Sequence, residues 1–213
     1  MNSKQTKAAK SSPRRREQKL HRQGEILAAA IKVFAEHGYE ATRIDDVAKQ
    51  AGIAKGTIYL YFQDKERLFR AVVRSLPEKR FDAVANAFTG SAEDLVRDLL
   101  LRMYGQIVRN EKVRAIVRLL IAEGGRFPQL ADIYHREIIE PGMKALRHVL
   151  RKGIASGEFR KTAATEFPQI LAAPAVLAIL WRVLHGERYP LDLDAYMRAH
   201  LEFVLNSLRN KPI

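Results

Sequence analysis

The sequence contains no cysteine, which excludes disulfide bonds, thiolate nucleophiles and cysteine-ligated metal sites. No run of 18 apolar residues is free of charge, so no membrane-spanning segment is expected. The basic N-terminus is not followed by an apolar segment before Ile26, which argues against a secretory signal. These absences favour a cytoplasmic protein with no membrane partner.

The motifs of common enzyme classes are missing as well. There is no Gly-x-Ser-x-Gly elbow, no P-loop, no dinucleotide-binding glycine motif and no His-Glu-x-x-His pair. The nearest match, residues 153–157, has a misplaced serine and is better explained as a helix end. The 6 histidines show no ligand spacing. The sequence therefore predicts no catalytic residue, no metal and no cofactor, and we expect a protein that is not an enzyme.

Basic residues are in excess, and the excess is unevenly placed. The net charge is +13, and residues 1–22 alone hold eight basic side chains against one acidic side chain. Such an arm increases the local attraction for phosphates and can lie in a minor groove. The alternative is a solvated tail that only aids solubility. Its Ser, Pro, Ala and Lys content predicts disorder over residues 1–21 when DNA is absent.

The most informative stretch is residues 42–65, which predicts two short helices joined by a glycine turn. Thr42 precedes Asp45 by three residues, a spacing typical of a capping box, and apolar residues follow at helical spacing. Gly52 ends this helix, because glycine adopts the left-handed conformation without a side-chain clash. The second helix runs from about Ala54 to Leu60. In a helix–turn–helix, the second helix enters the DNA major groove.

Residues 23–76 resemble the DNA-binding domain of the TetR family of bacterial transcription regulators. The resemblance lies in residues at fixed spacing: Ile26, Ala30, Phe34, Gly38, Tyr39, Thr42, Ile44, Val47, Ala48, Gly52, Lys55, Gly56, Thr57, Tyr59, Tyr61, Phe62, Lys65 and Leu68. It implies a DNA-binding regulator, usually a repressor, that a small molecule in a C-terminal helical bundle releases from its operator. The family is poorly patterned beyond this domain, so the resemblance says little about the sequence after Leu76.

The helical period continues to the C-terminus without strand alternation, so the whole chain is predicted to be all-α with about nine helices. The predicted helices cover residues 23–37, 43–50, 54–60, 65–76, 92–109, 112–123, 128–156, 163–186 and 193–209, with caps at Asp64 and Ser91. Pro77 is either a kink or a helix end, and Pro141 should kink the long seventh helix. The predicted domains are a basic arm (1–21), a DNA-binding domain (22–76, helix–turn–helix about 43–62), and a ligand-binding and dimerisation domain (77–213).

Eight residues are predicted to contact DNA: Thr42, Arg43, Lys55, Gly56, Thr57, Tyr59, Tyr61 and Lys65. Ile58 and Phe62 should instead face the core, with Ile53 before the helix. Because Gly56 has no side chain, it lets the protein backbone approach the sugar–phosphate backbone of DNA. The alternative is that the start of a helix merely tolerates a glycine there. The two tyrosines contact phosphates or pack in the core, and many relatives carry histidine at the position of Tyr61.

The start of helix 2 should bind a phosphate, because its exposed N–H groups and its dipole favour an anion. Thr42 is predicted to act there as cap and phosphate ligand together, and Arg43 as a phosphate or base contact. Lys65 should bind phosphate from the first turn of helix 4.

The segment 170–184 holds one charge in fifteen residues, which is too apolar all round for the surface helix of a monomer. It is buried either within one subunit or between two. The resemblance implies a homodimer formed through the last two long helices. A recognition helix of about two turns also needs two copies for useful specificity.

Apolar and amphipathic residues on the middle helices are candidates for the effector pocket, with ordinary core packing as the alternative for each. They are Phe88, Met103, Tyr104, Ile107, Leu120, Phe127, Tyr134, Ile138 and Trp181. Tyr104 and Tyr134 would provide a polar group in an apolar cavity. Four further side chains are candidates for recognising an acidic ligand, or are simply solvated: His135, Arg136, His148 and Arg182. The effector's identity does not follow from the sequence.

A second function class remains open. The net charge and the basic arm also fit a non-specific, nucleoid-associated DNA-binding protein. Such a protein would bind any duplex with similar affinity, whereas a regulator prefers its operator by about a thousandfold or more.

Overall fold

The structure is a computed structural model that describes residues 13–76, 89–186 and 188–210. Within these ranges, eleven α-helices and two π-helical turns follow one another, which confirms the all-α prediction. The first four helices are α1 (Pro13–Ala41), α2 (Ile44–Gln50), α3 (Lys55–Tyr59) and α4 (Lys65–Ser75). The others are α5 (Ala92–Met103), α6 (Glu111–Glu123), α7 (Pro128–Tyr134), α8 (Glu140–Ala155), α9 (Ala163–Glu166), α10 (Pro168–His185) and α11 (Leu193–Leu208). The π-helical turns are Tyr104–Val108, which extends α5, and His135–Ile139, which joins α7 to α8.

The first helix is longer than predicted at its N-terminal end. It begins at Pro13, so residues 13–21, which were expected to be disordered, are helical. Residues 1–12 of the predicted arm lie outside the described residues, as do Pro77 and Phe88. Gly38 interrupts the helix with φ of 76° and ψ of 177°, which confirms the predicted end of its regular part.

The predicted capping box at Thr42 and Asp45 is wrong by one residue. Arg43 precedes α2, and its backbone N–H donates to Asp46 Oδ2 at 3.2 Å. The Thr42 side chain is buried, and its hydroxyl donates to the carbonyl oxygen of Gly38 at 2.5 Å. The threonine therefore satisfies a carbonyl where α1 breaks, instead of the free N–H groups of α2.

Other local predictions are confirmed. Gly52 has a φ of 64°, as a left-handed turn residue should. Asp64 caps α4 by accepting from the N–H of Arg67 at 2.7 Å, and Ser91 caps α5 by accepting from the N–H of Asp94 at 3.0 Å.

Proline shapes the two longest predicted helices. The kink expected at Pro141 takes the form of the π-helical turn His135–Ile139, which directly precedes it. Because the proline ring removes an N–H and crowds the preceding turn, a wider turn accommodates it. The segment predicted as one helix over 163–186 is divided at Phe167, and Pro168 is the first residue of α10.

The described side chains form three apolar clusters. The first joins α1–α4 to α6, α7 and the second π-helical turn, so the helix–turn–helix shares a core with the C-terminal helices. The second lies between α5, α8, α10 and α11, and the third is a small cluster of Tyr104, Val108, Ala175 and Ala178. By length and composition α10 could cross a membrane, with a mean hydropathy of 1.4. It nevertheless contributes Leu171, Ala175 and Ile179 to three different clusters, so one of its faces is packed inside the protein.

Candidate functional site

The outer surface of α3 is the first part of the site. Ile58 and Phe62 are buried and hold α3 against α1 and α2, as predicted, and Ile53 packs against the same core. Lys55, Gly56 and Tyr59 are exposed on the opposite side. The next residue, Leu60, is 81% exposed and was not among the predicted contacts. Its position beside a surface of polar and basic groups suits an apolar contact with a thymine methyl group.

In the absence of DNA, the Asp45 carboxylate of α2 binds the exposed side chains of Lys55 and Tyr59. This carboxylate lies 2.6 Å from Lys55 Nζ and accepts from the Tyr59 hydroxyl at 3.3 Å. The hydrogen bond and charge of Asp45 raise the pKa of Lys55, which is fully exposed. Binding to a phosphate would therefore exchange one anionic partner of Lys55 for another.

The N-terminal part of α1 lies beside α3. Thr57 and Tyr61 line a surface groove together with Lys19 and Arg22 of α1. These two basic residues belong to the segment whose charge was predicted to attract phosphates, but their helical placement was not predicted. The groove brings basic side chains to the same surface as the recognition helix.

The other three residues predicted to contact DNA differ in how far their side chains are exposed to a bound duplex. Arg43 is exposed at the start of α2, whereas the buried Thr42 side chain does not reach the surface. Lys65 Nζ donates to the carbonyl oxygens of Tyr39 at 2.5 Å and Glu40 at 2.9 Å, and burial lowers its pKa. Lys65 thus ties the start of α4 to the end of α1, and its contact with a phosphate stays a prediction.

Replacing Gly56 by alanine should weaken DNA binding about tenfold or more without destabilising the protein. A Cβ at this position would meet no atom within 4 Å, and alanine should stabilise the helix by about 0.5–1 kcal/mol. Only a closely approaching DNA backbone would meet the added methyl group. Gel-shift titration together with thermal unfolding measures both effects. Gly105→Ala, on an equally open surface of the first π-helical turn, is the matched control, and unchanged affinity of G56A would mean a merely tolerated glycine.

An apolar cavity of about 200 Å³ is the second part of the site. It lies where the three clusters meet and is lined by residues of α5, α6, α7, α8, α10 and both π-helical turns. Its lining spans Ala172–Leu180 on α10, roughly 12 Å of helix axis. Among the described lining residues, Tyr134 alone carries a polar side chain, and burial raises its pKa to about 12.

Four of the predicted pocket residues line this cavity: Met103, Ile107, Tyr134 and Ile138. Leu120 and Phe127 pack instead against the core that contains the helix–turn–helix, and Trp181 is exposed, with its Nε1 donating to the carbonyl oxygen of Tyr189 at 2.8 Å. The sequence-based selection missed most lining residues, which are Leu99, Leu100, Val108, Val117, Ile139, Gly142, Met143, Leu146, Ala172, Ala175, Val176, Ile179 and Leu180. They are aliphatic residues whose pattern is the same as that of ordinary core.

Tyr104 does not line the cavity but forms a buried polar network beside it. Its hydroxyl lies 3.0 Å from His200 Nδ1, and His200 Nε2 lies 2.8 Å from the carbonyl oxygen of Leu171. Because a carbonyl only accepts, Nε2 carries the proton, and Nδ1 accepts from the tyrosine. The network ties the first π-helical turn to α10 and α11.

Acidification should therefore destabilise the protein through His200. Burial is the main cause that lowers the pKa of His200 below its ordinary value of 6.5. The unfolded chain takes up a proton below about pH 6.5 that the folded chain does not, so stability falls as the pH drops from 6.5 towards the folded pKa. The slope is at most about 1.4 kcal/mol per pH unit. Denaturant unfolding of wild type and His200→Gln between pH 7.5 and 5 measures it, and equal slopes would contradict the assignment.

Several contacts join the C-terminal helices to the DNA-binding helices. The Glu123 carboxylate, at the end of α6, accepts from the backbone N–H groups of Tyr39 at 2.9 Å and Glu40 at 3.0 Å. The ring of Phe127 packs edge-on against Tyr39 at 5.4 Å. Arg74 of α4 pairs with Glu137 of the second π-helical turn at 3.4 Å. Glu123 was not predicted from the sequence. A signal was present, because an acidic residue at the C-terminus of a helix is unfavourable for the helix dipole and so indicates a partner elsewhere.

An exposed apolar surface covers the outer faces of the last two long helices. On α10 it includes Ile170, Leu177, Trp181 and Leu184, which recur at helical spacing and so share one face. Phe203 is the exposed apolar side chain of α11. Contiguous exposed apolar surfaces are typical of interaction sites.

The described fold, a helix–turn–helix with an exposed second helix built on a helical bundle that encloses a cavity, is that of a DNA-binding transcription regulator. Residues 26–72 match the family "Bacterial regulatory proteins, tetR family", and residues 87–204 match "Tetracyclin repressor-like, C-terminal domain". The chain belongs to the TetR family of transcription regulators, which are not enzymes.

Similar proteins span nearly the whole chain. The fatty acid metabolism regulator protein of Bacillus subtilis is 28% identical over 199 residues, covering 91% of this chain and 99% of the relative. The transcriptional repressor KstR2 of Rhodococcus jostii is 29% identical over 199 residues, covering 89% and 92%. The crystal structure of FadR from Bacillus subtilis in complex with stearoyl-CoA has a TM-score of 0.69 at 22% identity and covers 86% of this chain and 98% of that chain.

Proposed function

We propose that the protein is a dimeric repressor that binds a palindromic operator and leaves it when a small molecule fills the cavity between α5, α6, α8 and α10. The observation that carries this proposal is the position of the cavity. Its lining includes Ile138 and Ile179, which belong to the same apolar cluster as the helix–turn–helix core. A ligand in the cavity is therefore one layer of side chains away from the DNA-binding helices.

The length of α3 supports binding as a pair. With only five residues, α3 reaches a few base pairs, so two copies are needed for specificity. Two recognition helices must lie roughly 34–36 Å apart to enter successive major grooves. The exposed apolar faces of α10 and α11 supply a surface through which two copies can associate as a symmetric dimer.

The second π-helical turn provides a route from ligand to DNA. Ile138 and Ile139 of this turn line the cavity, and the turn packs against α4. The ion pair between Arg74 and Glu137 joins the same two elements. A ligand that displaces the turn moves α4, and α4 is tied through Lys65 to the end of α1. A state with altered spacing of the two α3 helices then binds the operator less tightly by linkage.

We infer that the effector carries a long hydrocarbon chain, and that it is an acyl thioester. A cavity with an aliphatic lining fits a hydrocarbon chain better than a polar molecule. The structure of FadR that resembles this one was solved with stearoyl-CoA, and a relative of similar length is named a fatty acid metabolism regulator. Action on DNA also fits a location in the cytoplasm.

Footprinting of the purified protein on genomic fragments, followed by titration with palmitoyl-CoA, tests the proposal. We expect protection of a site with two-fold symmetry, a preference over random DNA of about a thousandfold, and release by the thioester. Equal affinity for random duplexes would instead support a non-specific nucleoid-associated protein. Specific binding that palmitoyl-CoA leaves unchanged would exclude this effector while leaving the DNA-binding role intact.

A further inference from the structure

Three arginines lie next in the chain to a residue that lines the cavity, or one helical turn from one: Arg109, Arg114 and Arg182. Arg109 directly follows the lining residue Val108 in the chain. Arg114 lies one turn before the lining residue Val117 on α6, and Arg182 lies one turn after the lining residue Ile179 on α10. Because residues three apart share a helix face, each of these helices places an arginine next to its own lining residue.

Hydrogen bonds hold two of the guanidinium groups together. Nη1 of Arg182 donates to the carbonyl oxygen of Val108 at 3.4 Å, and Nη1 of Arg114 donates to the carbonyl oxygen of Arg109 at 3.0 Å. These carbonyls are consecutive in the chain, so the two groups lie side by side. Burial lowers the pKa of Arg182, and the charges of Arg114 and Arg109 lower it further, while the charge of Glu111 acts in the opposite direction.

The nearby carboxylates do not balance this charge. Glu111 pairs with Arg114 at 3.2 Å and Asp194 pairs with Arg109 at 2.5 Å, and both carboxylates are largely exposed. Within the described residues, Arg182 has no carboxylate at salt-bridge distance. Each arginine has five N–H donors, and the carbonyl bonds of Arg114 and Arg182 use one each. Hydrogen bonding to the carbonyls at the end of the first π-helical turn therefore leaves most N–H donors of the three arginines free.

We propose that Arg109, Arg114 and Arg182 form an anion subsite that binds the phosphate or carboxylate group of the effector while its hydrocarbon chain fills the cavity. The planar guanidinium fork matches the oxygens of either group, and partial burial strengthens the interaction. The subsite rests on the proposed function and adds to it the recognition of the polar end of the ligand. It explains why positive charge is concentrated at the edge of an aliphatic cavity.

Calorimetric titration of the full-length protein with palmitoyl-CoA, palmitate and hexadecanol tests the subsite. Arg114→Gln and Arg182→Gln should each weaken binding of palmitoyl-CoA about tenfold and leave the affinity for uncharged hexadecanol within about twofold. Arg151→Gln, which removes an exposed arginine of α8 beyond the lining residues, is the control and should change neither affinity. Thermal unfolding of each variant verifies the fold. A tenfold loss for palmitate as well would show that a carboxylate is accepted, and a loss for the thioester alone would assign the subsite to phosphate.

Two results would overturn the subsite, and they separate it from the proposed function. If palmitoyl-CoA binds both variants as tightly as wild type, the subsite is wrong and the effector class stands. If hexadecanol binding falls as much as thioester binding, the arginines only maintain the structure. If wild type binds none of the three probes, the proposed effector class is wrong and the subsite is rejected with it.

Discussion

Leu177→Glu should dissociate the proposed dimer and reduce the affinity for the proposed operator by at least about a hundredfold. Leu177 is 53% exposed at the centre of the apolar face of α10. In a symmetric dimer each substitution is present twice at the interface. Burying a carboxylate without a partner costs roughly 2 kcal/mol or more, so two such groups weaken the dimer by about a thousandfold. A monomer presents a single α3 and loses the paired major-groove contacts.

Analytical ultracentrifugation and gel-shift titration measure the two effects of Leu177→Glu. The matched control is Ile121→Glu, because Ile121 is an aliphatic residue on α6 with an exposed fraction of 52%. The control makes the same change of charge away from the proposed interface and should remain dimeric. A dimer of L177E at micromolar concentration would show that the subunits associate through another surface.

The features that follow from local sequence were predictable. The core register of α3, with Ile58 and Phe62 buried, follows from helical periodicity, and the caps at Asp64 and Ser91 depend only on residues three positions away. The N-terminal extension of α1 was missed because residues 13–22 are mostly basic and polar and carry no apolar stripe. Thr42 was misassigned because its hydroxyl bonds to Gly38, which precedes it, and periodicity does not show that choice.

The cavity could be predicted only in part, because its shape depends on how distant segments pack. Tyr104 and Tyr134 are the same residue type on neighbouring helices, yet only Tyr134 lines the cavity. Tyr104 is held away from it by His200, which lies 96 residues further along the chain. Aliphatic residues such as Val117 and Ile179 follow the same pattern whether they face a ligand or a neighbouring helix. The sequence therefore predicted which helices surround the pocket better than it predicted which side chains line it.

Loss of the Glu123 carboxylate should leave effector binding intact but reduce the effect of the effector on DNA affinity. The carboxylate joins the end of α6 to the break in α1, and a Cβ on Gly38 would lie 2.2 Å from Oε1, so the two elements are in close contact. Val117 of the same helix lines the cavity, which places both ends of the connection on α6. Glu123→Ala should retain effector affinity within about threefold, because Glu123 does not line the cavity. The drop in operator affinity on saturation with effector should shrink at least about fivefold, in line with the usual size of coupling energies.

The same substitution should also lower stability, because it leaves two backbone N–H groups without their charged acceptor. The expected loss is about 1–3 kcal/mol, which corresponds to roughly 2–4 °C in Tm for each kcal/mol in a chain of this size. Glu40→Ala is the control for stability, since it removes an exposed ion pair with Arg126 that is worth about 0–1 kcal/mol. Calorimetric unfolding measures stability, and operator titration with and without effector measures the coupling. If E123A is destabilised but keeps the full response to effector, Glu123 only holds the fold, and the signal passes through other contacts, such as that between α4 and the second π-helical turn.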